Sequence, residues 1–202
     1  MDDSSQQPAS TLARHFKGIA SVQRGNEPTR EIVELLATNQ SDPIAFNAIL
    51  ARNEIASGGR FRTEALDLVL EYIRYVLADR AISATEREDV RVLRRILDVE
   101  DGELMHLRRR ELAILLGYQL DYVLDDALID DPEELFQVEL QAALGLGYDD
   151  YLTLIRPSVE RVFAALRSLT GDPSGVKSES TERKLNLLEP FYLLVIAARP
   201  TA

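Results

Sequence analysis

The chain of 202 residues has no cysteine and only two histidines. The first absence excludes disulfides, thiolate metal sites and cysteine nucleophiles, and it fits a reducing compartment. The second leaves zinc hydrolases and Cys–His enzymes without their ligands or base. There is no His-Glu-x-x-His motif and no nucleophile-elbow serine. Glu103-x-x-His106 is half of a di-iron helix signature, but the other histidine, His15, has Leu12 three residues before it. His106 therefore reads as a surface histidine. Long apolar runs are missing too. The longest, Phe191 to Ala198, has eight residues, against the ~20 needed to cross a bilayer. The first 30 residues hold no apolar run of signal-peptide length, so a cytoplasmic location is expected.

Basic residues are absent from one long stretch. Between Glu111 and Ile155 there is no Lys or Arg, but there are eleven acids. The whole chain carries 34 acids and 23 bases, a formal net charge of −11. That one stretch holds the entire excess, and the remainder is balanced. An acidic chain repels nucleic-acid phosphates and anionic lipid heads. The charge excludes a dedicated nucleic-acid binder and points to a cation or a basic surface as partner.

What is present is helical pattern. An apolar share of 46% supports a real core. Residues 1–10 are polar and read as a disordered tail. Residues 11–60 read as an N-terminal helical extension. It has a short helix at Leu12–Ile19, a helix start at Asn26-Glu27-Pro28-Thr29, and another at Ser41-Asp42-Pro43. Ile32, Leu35 and Leu36 form one apolar stripe, and Phe46, Ile49 and Leu50 form the next. From Phe61 the three- and four-residue spacing is strong: Leu66, Val69, Leu70, Ile73, Val76 and Leu77, then Val90, Leu93 and Leu97. It continues through Leu112, Leu115, Leu116 and Leu120, and through Val159, Val162, Phe163 and Leu166. No stretch alternates with period two. Gly145-Leu146-Gly147 lacks the Lys-Ser/Thr of a phosphate loop and reads as a helix end with a glycine C-cap. Residues 169–184 read as a linker, and residues 185–202 as an apolar C-terminal docking segment.

The chain also repeats itself. A shift of 47 aligns Tyr75-Val76-Leu77-Ala78-Asp79 with Tyr122-Val123-Leu124-Asp125-Asp126. The same shift aligns Ile82 with Ile129, Glu86 with Glu133, and Leu93, Leu97, Val99 and Leu107 with Leu140, Leu144, Leu146 and Leu154. The unit is a helix, a short Asp-x-x-Ile-x-x-x-Glu loop, a second helix, a loop and a helix start. Two copies favour a closed bundle over a solenoid, which needs three or more. Tandem helical units with this acidic loop resemble the TerB-like family, named for the tellurite-resistance protein TerB. The resemblance covers Phe61 to Ser168. The family commonly has Gly after the Asp, where this chain has Arg80 and Ala127. The expected fold is all-α, a TerB-like helical bundle of two pseudo-symmetric helix-loop-helix repeats over residues 61–168. The resemblance implies a stress-response or defence setting, and acidic loops that hold divalent cations.

On that reading Asp79, Glu86, Asp126 and Glu133 are the candidate metal ligands, with Asp125 and Asp130 enriching the second loop. Ca²⁺ or another divalent cation suits such oxygen clusters. The competing reading is helix capping. Ser83-x-x-Glu86 fits a capping box, and Asp130-x-x-Glu133 imitates one. An EF-hand is excluded, because counting from Asp126 puts Leu128 third and Gln137 twelfth with no Gly at the sixth position. Arg87, Arg91, Arg94 and Arg95 share a helical face and read first as a salt-bridged solvated surface. Otherwise they dock an acidic partner, or the acids of another copy in a homo-oligomer. Phe191, Tyr192 and Leu194 need cover, from their own bundle or from a protein partner. The function expected is that of a non-enzymatic adaptor or scaffold. The alternative is a metal-free subunit of a larger complex, held through the Arg face and the C-terminal segment.

Overall fold

In the computed structural model, the residues described are 10–21, 27–38, 41–55, 60–78, 82–125, 138, 140–170 and 179–197. They are all-helical, with no strand among them. The helices are α1 (Thr11–Ala20), α2 (Glu27–Leu36), α3 (Pro43–Arg52), α4 (Arg60–Val76), α5 (Ala84–Ile96), α6 (Glu103–Leu107), α7 (Arg109–Asp125), α8 (Tyr148–Thr170) and α9 (Glu179–Ala197). Residues 140–144 are also helical. No helix among the described residues is long and apolar enough to cross a membrane. The chain divides into two compact units, Met1–Glu100 and Asp101–Ala202. The boundary after Glu100 cuts the first copy of the sequence repeat, whose Leu107 lies in the second unit. The second copy falls in the second unit with α9.

The helix starts follow from their capping chemistry. The amide of Ala13 donates to Ser10 Oγ at 3.1 Å. The amide of Ala45 donates to Asp42 Oδ1 at 2.7 Å, with Pro43 in the first turn where its missing N–H costs nothing. Ser83 and Glu86 form a reciprocal capping box. In the first unit α2 packs on α3 and α4 on α5, while α1 meets α2, α4 and α5. The periodic apolar residues supply the core: Ile32, Val33, Leu36, Leu66, Val69, Ile73, Val90 and Leu93 are all fully buried. The start of α1 is fixed by a residue far along the chain. Asp89 Oδ2, on α5, accepts from the Leu12 amide at 3.0 Å and from the Tyr72 hydroxyl at 3.0 Å. A carboxylate at a helix N-terminus is favoured by the helix dipole. Burial, with Asp89 beside it, pushes the Tyr72 phenol well above its ordinary value.

Three helices end in the same turn. Glu54, Asp98 and Gly145 lie at φ of 54°, 55° and 65°. Each amide donates three residues back: Glu54 to the Ala51 carbonyl at 3.2 Å, Asp98 to Arg95 at 3.3 Å, and Gly145 to Ala142 at 3.1 Å. The next amide donates five residues back: Ile55 to Leu50 at 3.0 Å, Val99 to Arg94 at 2.8 Å, and Leu146 to Gln141 at 3.1 Å. This pair of bonds around a left-handed residue is the Schellman motif, which satisfies carbonyls otherwise orphaned at a helix end. An apolar residue follows the left-handed one each time, and Val99 and Leu146 are buried.

In the second unit, α6 packs on α7, α7 on α8, and α8 on α9. Gly102, at φ 77°, donates its amide to the Gly145 carbonyl at 2.9 Å. The C-terminal segment lies against its own chain. Leu188 and Val195 on α9 are fully buried. The Tyr192 ring stacks on Phe163 with centroids 4.2 Å apart and planes 8° from parallel. Arg156 on α8 closes the far end of α9, donating to the Val195 carbonyl at 2.8 and 3.1 Å and to the Ile196 carbonyl at 3.3 Å. Cations are favoured at a helix C-terminus. The helix begins at Glu179, so residues 179–184, expected in a linker, are helical. Glu182, Arg183 and Lys184 are good helix formers, and composition alone hid that.

The His15 ring sits among aromatics. Its centroid lies 4.2 Å from that of Tyr75 and 5.6 Å from that of Tyr72. Its Nε2 is buried and meets no hydrogen-bonding group among the described residues. Desolvation holds its pKa below the ordinary value of 6.5, against an opposing pull from Glu71. The folded state thus binds this proton less tightly than the unfolded state does. The stability it contributes is complete above 6.5 and is lost as the pH falls below that value. His15→Phe keeps the ring and removes the proton. Between about pH 7 and about pH 5, wild type should lose stability relative to this variant in urea unfolding. A stability gap that does not change with pH would contradict the linkage.

Candidate functional site

The sequence-derived ligands divide sharply. Glu86 is described, and its carboxylate is taken up by capping. Glu86 Oε2 accepts from the Ser83 amide at 2.9 Å and from the Ser83 hydroxyl at 2.7 Å, while the Glu86 amide donates back to Ser83 Oγ at 3.2 Å. Asp79, Asp126, Asp130 and Glu133 lie outside the described residues. Asp125 ends α7, and its side chain lies outside them as well. Among the described residues, no group of three or more His, Asp or Glu side chains is arranged to hold a metal ion.

The arginine face is only partly a face. Arg91 and Arg95 are exposed and both approach Glu88, at 3.5 and 3.7 Å. Arg87 donates to the Ile82 carbonyl at 3.1 Å. Arg94 departs from the expected surface position: it is buried at 7% exposure, in the stripe with Val90, Leu93 and Leu97. It is one turn beyond Val90, on the inner edge of the helix, where a long aliphatic stem can lie along apolar neighbours. Of the C-terminal candidates, Tyr192 is engaged with Phe163 and Leu194 is exposed. The Phe191 side chain lies outside the described residues. Leu193, Leu194 and Ile196 form an exposed apolar strip on α9. His106 is exposed, as its sequence context suggested.

Two clefts remain. One, of about 360 Å³, lies in the first unit beside α2 and α4 and presents Glu64, Asp67, Glu71 and Arg74. These charges have partners at hand. Thr29 donates to Glu64 at 2.6 Å, and Arg74 lies 3.6 Å from Glu71. The other, of about 450 Å³, runs between α7 and α8 in the second unit. Its walls carry Ile114, Tyr118, Leu154 and Pro157, with Arg110 and Arg161 also lining it. Among the described residues, no carboxylate lines it. Ile114 is 51% exposed and Tyr118 is 72% exposed, one helical turn apart. Sequence reasoning missed this cleft.

Gly117 explains why α7 and α8 come close here. A Cβ at Gly117 would lie 2.8 Å from Ser158 Oγ and 3.9 Å from Ser158 Cβ. A glycine inside a helical pattern signals such an approach, and this was the available sequence signal. Comparison with known proteins finds no matching family model, curated protein or solved structure.

The close approach makes a testable coupling. Gly117→Ala gains about 1 kcal/mol of helix propensity, but in wild type it must displace the Ser158 hydroxyl. With Ser158→Ala already present, that obstacle is gone. Urea unfolding should show Gly117→Ala stabilising by about 1 kcal/mol in the Ser158→Ala background and by clearly less in wild type. Equal effects in both backgrounds would mean the helices do not touch at this point.

Proposed function

We propose that the chain is a non-enzymatic adaptor or scaffold, built from helix-loop-helix units and acting by protein recognition. The single observation that carries this reading is the α7–α8 cleft. It gathers an exposed aliphatic and a strongly exposed aromatic side chain above a helix crossing. Large exposed apolar groups collected in one groove are characteristic of recognition surfaces. The ends of α3, of α5 and of the helix over 140–144 share one turn, which is in keeping with helical units closed in the same way. Asp42 and Ser83 cap α3 and α5, and the left-handed residues Glu54 and Asp98 end them. Stacked helical units offer extended binding surfaces and need no catalytic constellation.

A second reading concerns cations and follows the TerB-like resemblance. The first loop spends Glu86 on capping. The second loop has six acids, Asp125, Asp126, Asp130, Asp131, Glu133 and Glu134, within ten residues that contain no Lys or Arg. Such a cluster is suited to a divalent cation, with Ca²⁺ the first choice. The reading predicts that millimolar Ca²⁺ raises the melting temperature of wild type and of Glu86→Gln, while Asp126→Ala loses the response. Identical melting curves with and without Ca²⁺ for wild type would remove the cation from the account and leave the metal-free adaptor.

A further inference from the structure

We infer that α1 is an acid-released helix: protonation of His15 undocks it from the first unit and uncovers the faces of α2, α4 and α5 on which it packs. This goes beyond the adaptor reading and does not involve the α7–α8 cleft. The helix has ten residues, fewer than an isolated helix needs to persist in water. Docking therefore maintains its helical form. Leu12, Ala13 and Phe16 are buried at 4% exposure or less and supply the apolar part of that docking. The Leu12 amide, held by Asp89 Oδ2, ties down the first turn. His15 lies three residues on, in the contact with α4.

The His15 ring belongs to one aromatic cluster. Its centroid lies 4.2 Å from that of Tyr75 and 5.2 Å from that of Phe16, which it meets edge-on. Tyr72 lies 6.1 Å from both Phe16 and Tyr75. Within this cluster Nε2 is buried and has no hydrogen-bond partner among the described residues. A neutral imidazole can leave one nitrogen as a bare acceptor. An imidazolium has two N–H donors, and a buried charged donor without an acceptor is far costlier.

The surrounding charges do not supply that acceptor. On α4, Glu71 favours the imidazolium, but it is exposed and Arg74 lies 3.6 Å from it. Glu64 and Asp67 line the cleft at Ile19, near the other end of α1. The Tyr72 hydroxyl donates to Asp89. On α5, Asp89 is taken by Leu12 and Tyr72, Glu86 by Ser83, and Glu88 by Arg91 and Arg95. On α2, Arg30 meets Glu27 and Glu34, and Glu31 meets Arg52, while Thr29, Ile32, Val33 and Leu36 are buried. On α1 itself, Arg14 and Lys17 are exposed and add like charge. Full solvation of the proton thus requires the ring to leave the cluster, and α1 carries the ring. Desolvation holds the group below 6.5. The docked helix is therefore fully favoured above that value and weakened as the pH falls below it.

The test is hydrogen exchange of the full chain at pH 7, 6 and 5, read by mass spectrometry and referred at each pH to the unfolded chain. Protection of the α1 amides should fall at least about threefold between pH 7 and pH 5, while α3 and α5 keep theirs. His15→Phe keeps a ring and takes no proton, so its α1 protection should be constant over that range. Equal losses in α1, α3 and α5 would place the proton's effect on global unfolding and overturn the release. Unchanged α1 protection would mean that the ring swings out while the helix stays, and would overturn it too. So would a loss that persists in His15→Phe. If that variant fails to fold, the comparison of α1 with α3 and α5 in wild type decides alone. A loss confined to pH values near 4, where carboxylates ordinarily titrate, would then count against His15.

Discussion

The structure depends on a backbone constraint that recurs along the chain. A helix that stops abruptly leaves its last carbonyls without partners. Here three helices solve this with one residue in the left-handed region and two reverse amide bonds. The turn also redirects the chain, so the next residue is apolar and points back toward the core. Val99 and Leu146 are buried directly after Asp98 and Gly145. The Gly145 turn is further joined to the start of α6, since its carbonyl accepts from the Gly102 amide. Glu54 and Asp98 adopt without glycine a conformation that is strained for a side chain.

Charge is distributed with the same economy of means but a different outcome in each unit. In the first unit acids and bases meet locally. Arg30 lies between Glu27 and Glu34, Arg52 bonds Glu31, and Glu88 serves Arg91 and Arg95. The Arg52 guanidinium holds the half-buried Glu31 carboxyl below its ordinary value. The second unit is acidic, and its described arginines work at defined places. Arg156 closes α9, Arg167 lies 5.3 Å from the Phe163 ring centroid, and Arg110 and Arg161 line the α7–α8 cleft. Residues 1–100 carry 16 acids and 13 bases, against 18 and 10 in residues 101–202, so most of the net charge belongs to the second unit.

Helix identity was largely legible in the sequence, because it rests on local rules. Asp42-Pro43 and Ser83-x-x-Glu86 announced their caps, and the buried stripes followed from spacing near 3.6 residues. Gly145 was legible as a C-cap for the same reason. Glu54 and Asp98 were not, since neither side chain advertises a positive φ. The start of α9 was hidden by its polar composition, although its charged residues favour helix. Arg94 was assigned to the surface by its chemistry, while its position beside Val90 and Leu93 places it inside. The cleft was illegible for a more basic reason. It depends on Gly117 meeting Ser158, and on Ile114 and Tyr118 facing Leu154 and Pro157, pairs roughly 40 residues apart in the chain that no local rule connects.

The shared turn can be measured directly by replacing its central residue. Glycine relieves side-chain strain at positive φ, and its gain exceeds its entropic cost there. Glu54→Gly and Asp98→Gly should each raise unfolding free energy by about 0.5–1 kcal/mol, with Glu54 gaining more because Asp tolerates the left-handed region better. Gly145→Ala should lose about 1 kcal/mol. Denaturant unfolding of the three variants that gave this pattern would establish the same turn at all three helix ends. A loss of stability in both glycine variants, or no loss in Gly145→Ala, would contradict it.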